Sequence, residues 1–295
     1  MKDEQYYDTI KNNSSLRNSS KEEHVRNLKK AKQIFENKSI DEIIKEPKQF
    51  KKRLEEQDLS IASKSNVVGA ILSIFRSSSV IRENNKDLFN IWKDLYDDIK
   101  QPLRDKYERG EMSEKQKKAY VSFDEVCSKR DKLEEGSQVR LLLSLFTLMP
   151  AKRAQEFHNM VVLKKEPRRG YNNYLVINNK YAKMVINEYK TSDKYGTIVE
   201  YLSKQLKNEI LASLNKNPRK YLFVKENGKP FADRKSFDYW ANTQLKRVFD
   251  NEHISIGTLR HTYLIHNRPQ NDDEREELAN SMGHSVDMQK MYSFQ

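Results

Sequence analysis

VRLLLSLFTLMPAKRAQEFHNM, residues 139–160, is where the character of the chain changes. Val139 to Met149 is apolar nearly all round, as expected of a helix buried in a core. Pro150 breaks it, because proline lacks the amide hydrogen a helix interior needs. Lys152 to Met160 is then expected to resume as a short helix. Upstream of this stretch there is no alternation of β-branched residues. Downstream of it, strand-like runs begin.

Working towards the N-terminus, residues 111–137 are almost wholly polar and read as a linker. Residues 84–109 carry Leu88, Ile91, Trp92, Leu95, Tyr96 and Ile99 at helical spacing and end at Gly110, a helix stop. Residues 60–80 form another helix with a broad apolar face that includes Val67, Val68, Ile71, Leu72, Ile74 and Phe75. Glu22 to Gln57 reads as two or three short helices interrupted at Pro47. Residues 1–21, rich in Asn, Ser and Lys, read as a flexible arm.

Working towards the C-terminus, Tyr174–Ile177, Lys183–Tyr189 and Thr197–Leu202 are β runs with polar connections, and they read as a small antiparallel sheet. Helical spacing returns at 203–215, 234–249 and 256–266. The acidic run Asn271 to Glu277 opens a last helix that Gly283 ends, with the carboxylates at the favoured end of the helix dipole. The expected fold class is therefore mainly α with a small antiparallel sheet, α+β. It divides into an arm (1–21), an all-helical domain (22–110), a linker (111–137) and a mixed domain (138–295).

Composition narrows the function. The 295 residues carry 55 Lys+Arg against 43 Asp+Glu, a net charge of +12, which points weakly to a polyanionic partner. The excess is uneven: 30 basic and 26 acidic side chains lie in residues 1–140, and 25 and 17 in residues 141–295. The longest apolar run, Leu141 to Met149, is too short for the ~20 residues that cross a bilayer. The acidic opening MKDEQYYDTI has no apolar segment, so an intracellular, non-secreted protein is expected. A single cysteine, Cys127, excludes a disulfide framework and a Cys-based zinc finger. There is no phosphate-binding glycine loop, HExxH, EF-hand loop or G-x-S-x-G. His261 and His266 lack a third nearby ligand.

One distributed set of residues remains. Arg153 lies in KRAQEF with Glu156 three positions on, Lys190 in EYKTSDKYG between two β runs, and Arg260 in GTLRHTYL beside His261. His284 lies in MGHS and Tyr292 in QKMYSF. Singly they have ordinary readings: a helix ion pair, a solvated turn lysine, a polar helix face, a helix cap and a packed tyrosine. In this order they closely resemble the catalytic domain of the tyrosine recombinase (integrase) family. That family has an R-x-x-E box after a helix, a lysine on a β-hairpin, an H-x-L-R-H box, a G-H pair and a C-terminal nucleophilic tyrosine. The resemblance covers residues 138–295, and residues 22–110 then correspond to the family's core-binding domain, which clamps duplex DNA.

The resemblance implies that Arg153, Lys190, Arg260, His284 and Tyr292 are catalytic, with Glu156 and His261 in support. In phosphoryl transfer, negative charge builds on non-bridging oxygens that two arginines and a histidine stabilise. Tyr292 attacks, Lys190 protonates the leaving 5′ oxygen, and a 3′-phosphotyrosine conserves the bond for religation. No metal or nucleotide cofactor is required. The implied partner is double-stranded DNA, bound by a homotetramer at synapsis that is a monomer in solution, without a membrane. Candidate phosphate contacts are Lys164, Lys165, Arg168, Arg169, Arg234, Lys235, Lys246 and Arg247. Two departures stand out. Gly257 occupies the place of the family's histidine or lysine, with His253 or Ser255 as possible substitutes. Tyr292 follows His284 by eight positions, which looks more like recombinases of eukaryotic viruses and mobile elements. A type IB topoisomerase and a non-catalytic DNA-binding relative are the alternatives, and Tyr189, Tyr195 and Tyr263 are rival tyrosines.

Overall fold

The computed structural model describes residues 2–168, 170–283 and 285–286. The chain forms two compact units, residues 1–106 and 107–295. It is α+β, with a single four-stranded sheet among the described residues.

The first unit is all-helical: α1 Asp3–Lys11, α2 Asn18–Ile34, α3 Ile40–Lys45, α4 Pro47–Glu55, α5 Ile61–Ser77, α6 Ser79–Asn84 and α7 Lys86–Glu108. Its core forms around α5, where Val67, Val68, Ile71, Leu72, Ile74 and Phe75 are all removed from solvent. Phe50 and Trp92 meet edge-on with ring centres 5.4 Å apart, and the indole N–H donates to Ile44 O at 3.0 Å. The flexible arm expected over 1–21 is corrected here. Residues 3–11 are helical, and Tyr6, Tyr7 and Ile10 are buried in the core. Asp3 accepts from Ile40 N at 2.8 Å and pairs with Lys32, and Tyr6 Oη donates to Asp41 Oδ1 at 2.9 Å. The polar composition concealed three inward residues whose burial and buried-end hydrogen bonds hold the segment down.

The second unit begins with α8 Glu114–Ala119, α9 Phe123–Lys132 and α10 Gln138–Thr147. Strands β1 Val161–Leu163, β2 Asn173–Ile177, β3 Ala182–Ile186 and β4 Ile198–Tyr201 follow, with the short helix α11 Ser192–Tyr195 between the last two. Helices α12 Lys204–Lys216, α13 Arg234–Phe249, α14 Ile256–His266 and α15 Asp272–Ser281 complete it. Helix α10 is central: Leu141, Leu142, Leu143, Leu145 and Phe146 are buried against the sheet and the surrounding helices.

Two further expectations change. The supposed linker 111–137 is part of this unit, because Val121 and Val126 sit in its core and Arg130 donates to Thr147 Oγ1 at 2.7 Å. Thr262 Oγ1 also donates to Val121 O at 2.8 Å. Ser113 and Ser122 cap helices α8 and α9, accepting from the amides of Gln116 and Glu125, so serines that look like linker residues act as helix starts. The sheet, in order β1-β2-β3-β4, is mixed rather than antiparallel. β1 pairs parallel with β2, while β2–β3 and β3–β4 are antiparallel. β1 comprises only three residues, too few to show an alternating pattern.

Candidate active site

Arg153 is placed by the break after α10. The chain leaves that helix at Pro150 and runs extended through Arg153, which caps a single 3₁₀ turn, Ala154–Glu156. The short helix expected from Lys152 to Met160 is reduced to this turn. Arg153 and Glu156 are therefore paired across a cap and not along a helix face. The Arg153 amide donates to Glu156 Oε2 at 2.6 Å, and its Nη1 lies 3.8 Å from Glu156 Oε1. Glu156 is fully buried. Burial pushes its carboxyl above the usual range, opposed by the charges of Arg260 and Arg153.

Arg260, on α14, is buried, and its Nη2 lies 3.5 Å from Met282 O, just beyond the end of α15. Arg153 Nη1 reaches the neighbouring carbonyl, Gly283 O, at 3.0 Å. Thr191 Oγ1 donates to the same oxygen at 2.7 Å. Gly283 adopts φ +66°, and a Cβ there would come within 3.1 Å of the Tyr189 ring. Only glycine satisfies both conditions. The 282–283 turn is thus held by two arginines and by Thr191, which follows Lys190, while the Tyr189 ring lies close against Gly283. His284, the next residue, and Tyr292 lie outside the described residues, as does Arg169.

Lys190 is exposed, on a connection from β3 to β4 that includes α11 and is not a tight hairpin. Arg153 and Arg260 open onto one cavity of about 380 Å³, which His261, Gly257, Asp238 and Asn242 also line. Of the proposed substitutes for a side chain at Gly257, Ser255 lines this cavity, but its Oγ caps α14 by accepting from Thr258 N. His253 is exposed and does not line it. His261 is held near pKa 4 by burial and by Arg260, so it is neutral at physiological pH. His266 stacks on Phe123 with ring centres 4.0 Å apart, a packing role.

Among the rival tyrosines, Tyr189 and Tyr263 have hydroxyls pushed above the ordinary phenol range by burial, which disfavours the phenolate. Tyr195 lies in α11, where Lys194 Nζ sits 5.1 Å from its ring centre. The candidate phosphate contacts are distributed over the surface. Lys164, Lys165 and Arg168 are exposed after β1, Arg234 and Lys235 are exposed in the first turn of α13, and Arg247 is exposed in its last turn. Lys246 is bound to Glu252 at 3.0 Å.

Two residues of the site escaped the sequence reading. Lys152 is fully buried, with its Nζ 3.0 Å from Glu200 Oε2 on β4 and donating also to Ser281 O. Its amine is pushed down by burial, partly offset by Glu200. Asp238, in the second turn of α13, is half-buried in the cavity wall. A lysine between an apolar helix and a charged box was the available signal for the first. Asp238 had none, since its helix meets α14 only in three dimensions.

No known family model matches the chain, and no curated protein matches it either. Among solved structures the chain is similar to the crystal structure of XerA recombinase, at 14% identity and a TM-score of 0.46, with 99% of this chain and 94% of that chain covered.

Proposed function

We propose that this chain is a DNA strand transferase of the tyrosine recombinase type, which cleaves and rejoins duplex DNA through a 3′-phosphotyrosine. The observation that carries the reading is the convergence of Arg153 and Arg260 on one cavity, with both guanidiniums anchored on the 282–283 turn that leads into His284. Two fixed guanidiniums from separate elements suit a phosphodiester whose non-bridging oxygens gain charge as the phosphorus is attacked. Tyr292 is the nucleophile and Lys190, on the exposed β3–β4 connection, is the general acid for the 5′ oxygen. The exposed basic side chains at 164–168, 234–235 and 247 hold the phosphate backbone without reading sequence. Duplex DNA is the partner, joined as a tetramer at synapsis.

The test is covalent trapping. The protein is incubated with a pool of randomised duplexes, each carrying a nick near the variable region, and DNA-bound protein is recovered under denaturing conditions. The reading requires an adduct with the wild-type chain and none with Tyr292→Phe. No adduct from the wild type, or one that survives Tyr292→Phe, overturns it. Plasmid relaxation without joining of two duplexes favours topoisomerase over recombinase activity.

A further inference from the structure

Position 257 poses a chemical question that the recombinase reading leaves open. An attacking tyrosine hydroxyl must lose a proton, and glycine at 257 has no group to take it. Among the described residues that line the cavity beside Arg153 and Arg260, one carries a carboxylate, Asp238. Among the described residues it makes no hydrogen bond or ion pair. A half-buried carboxylate in a cleft that it shares with two arginines is a candidate for a functional role.

We propose that Asp238 is the proton acceptor for the nucleophile, replacing from α13 the group that Gly257 lacks on α14; the inference rests on the recombinase reading. In cleavage the Tyr292 oxygen bonds to phosphorus and its proton passes to the Asp238 carboxylate. The bond from phosphorus to the 5′ oxygen breaks, its electron pair stays on that oxygen, and Lys190 supplies the proton. Religation runs the same transfers in reverse, so nothing is oxidised or reduced.

The surroundings suit this role. Burial pushes the Asp238 carboxyl above the usual range, and Arg234 on the same helix and His158 from the segment after the 3₁₀ turn only partly offset it. A carboxylate with a raised pKa is a stronger base near neutral pH. Across the cavity the charged groups are Arg153 and Arg260, while His261 is neutral. The space is also available: a Cβ added at Gly257 would meet only Ser255 Oγ, at 3.4 Å. A side chain introduced at 257 therefore enters the same cavity.

The experiment uses a duplex selected by wild-type trapping, made with an ordinary phosphodiester and with a 5′-bridging phosphorothiolate, whose sulfur leaves without needing a proton. Asp238→Asn is expected to slow cleavage by about 10²-fold or more, to lose the acidic limb of the pH–rate profile, and to bind uncut duplex normally, which reports an intact fold. The loss persists on the phosphorothiolate, whereas that of Lys190→Ala is relieved. Adding Gly257→His to Asp238→Asn restores part of the rate, which a merely structural defect would not allow. If Asp238→Asn cleaves at the wild-type rate, or if the phosphorothiolate rescues it, this assignment is overturned while the wild-type adduct leaves the recombinase reading intact. Absence of any wild-type adduct overturns both.

Discussion

Arg153 and Thr191 share one acceptor: both donate to the carbonyl of Gly283, from Nη1 at 3.0 Å and from Oγ1 at 2.7 Å. One comes from the segment after α10 and the other from the β3–β4 connection, so a single peptide oxygen joins the elements that carry Arg153 and Lys190. The turn it belongs to follows α15 and leads into His284.

Gly283→Ala is expected to destabilise the chain by about 1–3 kcal/mol, because alanine resists the left-handed backbone and its Cβ presses on the Tyr189 ring. Thr191→Val removes one hydrogen bond and costs about 1 kcal/mol. Urea unfolding measures both. Equal stability of Gly283→Ala and wild type would contradict the described turn.

Lys152→Met leaves Glu200 and the Ser281 carbonyl without their buried partner. Breaking such a pair costs about 3–5 kcal/mol, while removing both charges together costs much less. Lys152→Met should therefore unfold at a clearly lower urea midpoint, and Lys152→Met with Glu200→Leu should recover much of the difference. Absence of coupling in that double-mutant cycle would rule out the ion pair between Lys152 and Glu200.

His261 supplies a pH signature. Its folded value of about 4 lies below the ordinary 6.5, so the unfolded chain binds the proton first as pH falls. The stability this contributes is complete above pH 6.5 and is lost as pH falls towards 4, by about 3 kcal/mol over the whole window. His261→Gln should lose less stability than wild type between neutral pH and pH 5. Parallel acid dependence of the two proteins would count against burial of the ring.

Ile10 tests the first helix. It is fully buried, and Ile10→Ala should cost about 2–5 kcal/mol. Were residues 1–21 a flexible arm, the same change would leave the thermal midpoint unmoved.

Helix periodicity in residues 22–110 and 234–266, the strand runs after 170, and the order Arg153, Lys190, Arg260, His284, Tyr292 were all readable along the chain. Such patterns depend on near neighbours, since one face of a helix or strand repeats every few residues. β1 was missed because three residues carry no period. The arm and the linker were misread because composition counts polar side chains and not the few apolar ones, Tyr6, Tyr7, Ile10, Val121 and Val126, that pack inward.

By itself, then, the sequence determined the α+β class, the strongly periodic helices and the residue types that the proposed phosphoryl transfer needs. Only the tertiary structure decided that Arg153 and Arg260 face one cavity, that Lys152 is buried on Glu200, and that Asp238 joins them from α13. The reason is separation: Asp238 and Arg260 lie 22 residues apart, Lys152 and Glu200 48, and Arg153 and Arg260 107, and none of these pairs has a local period. Their meeting depends on how α10, the sheet and the last three helices pack around the core.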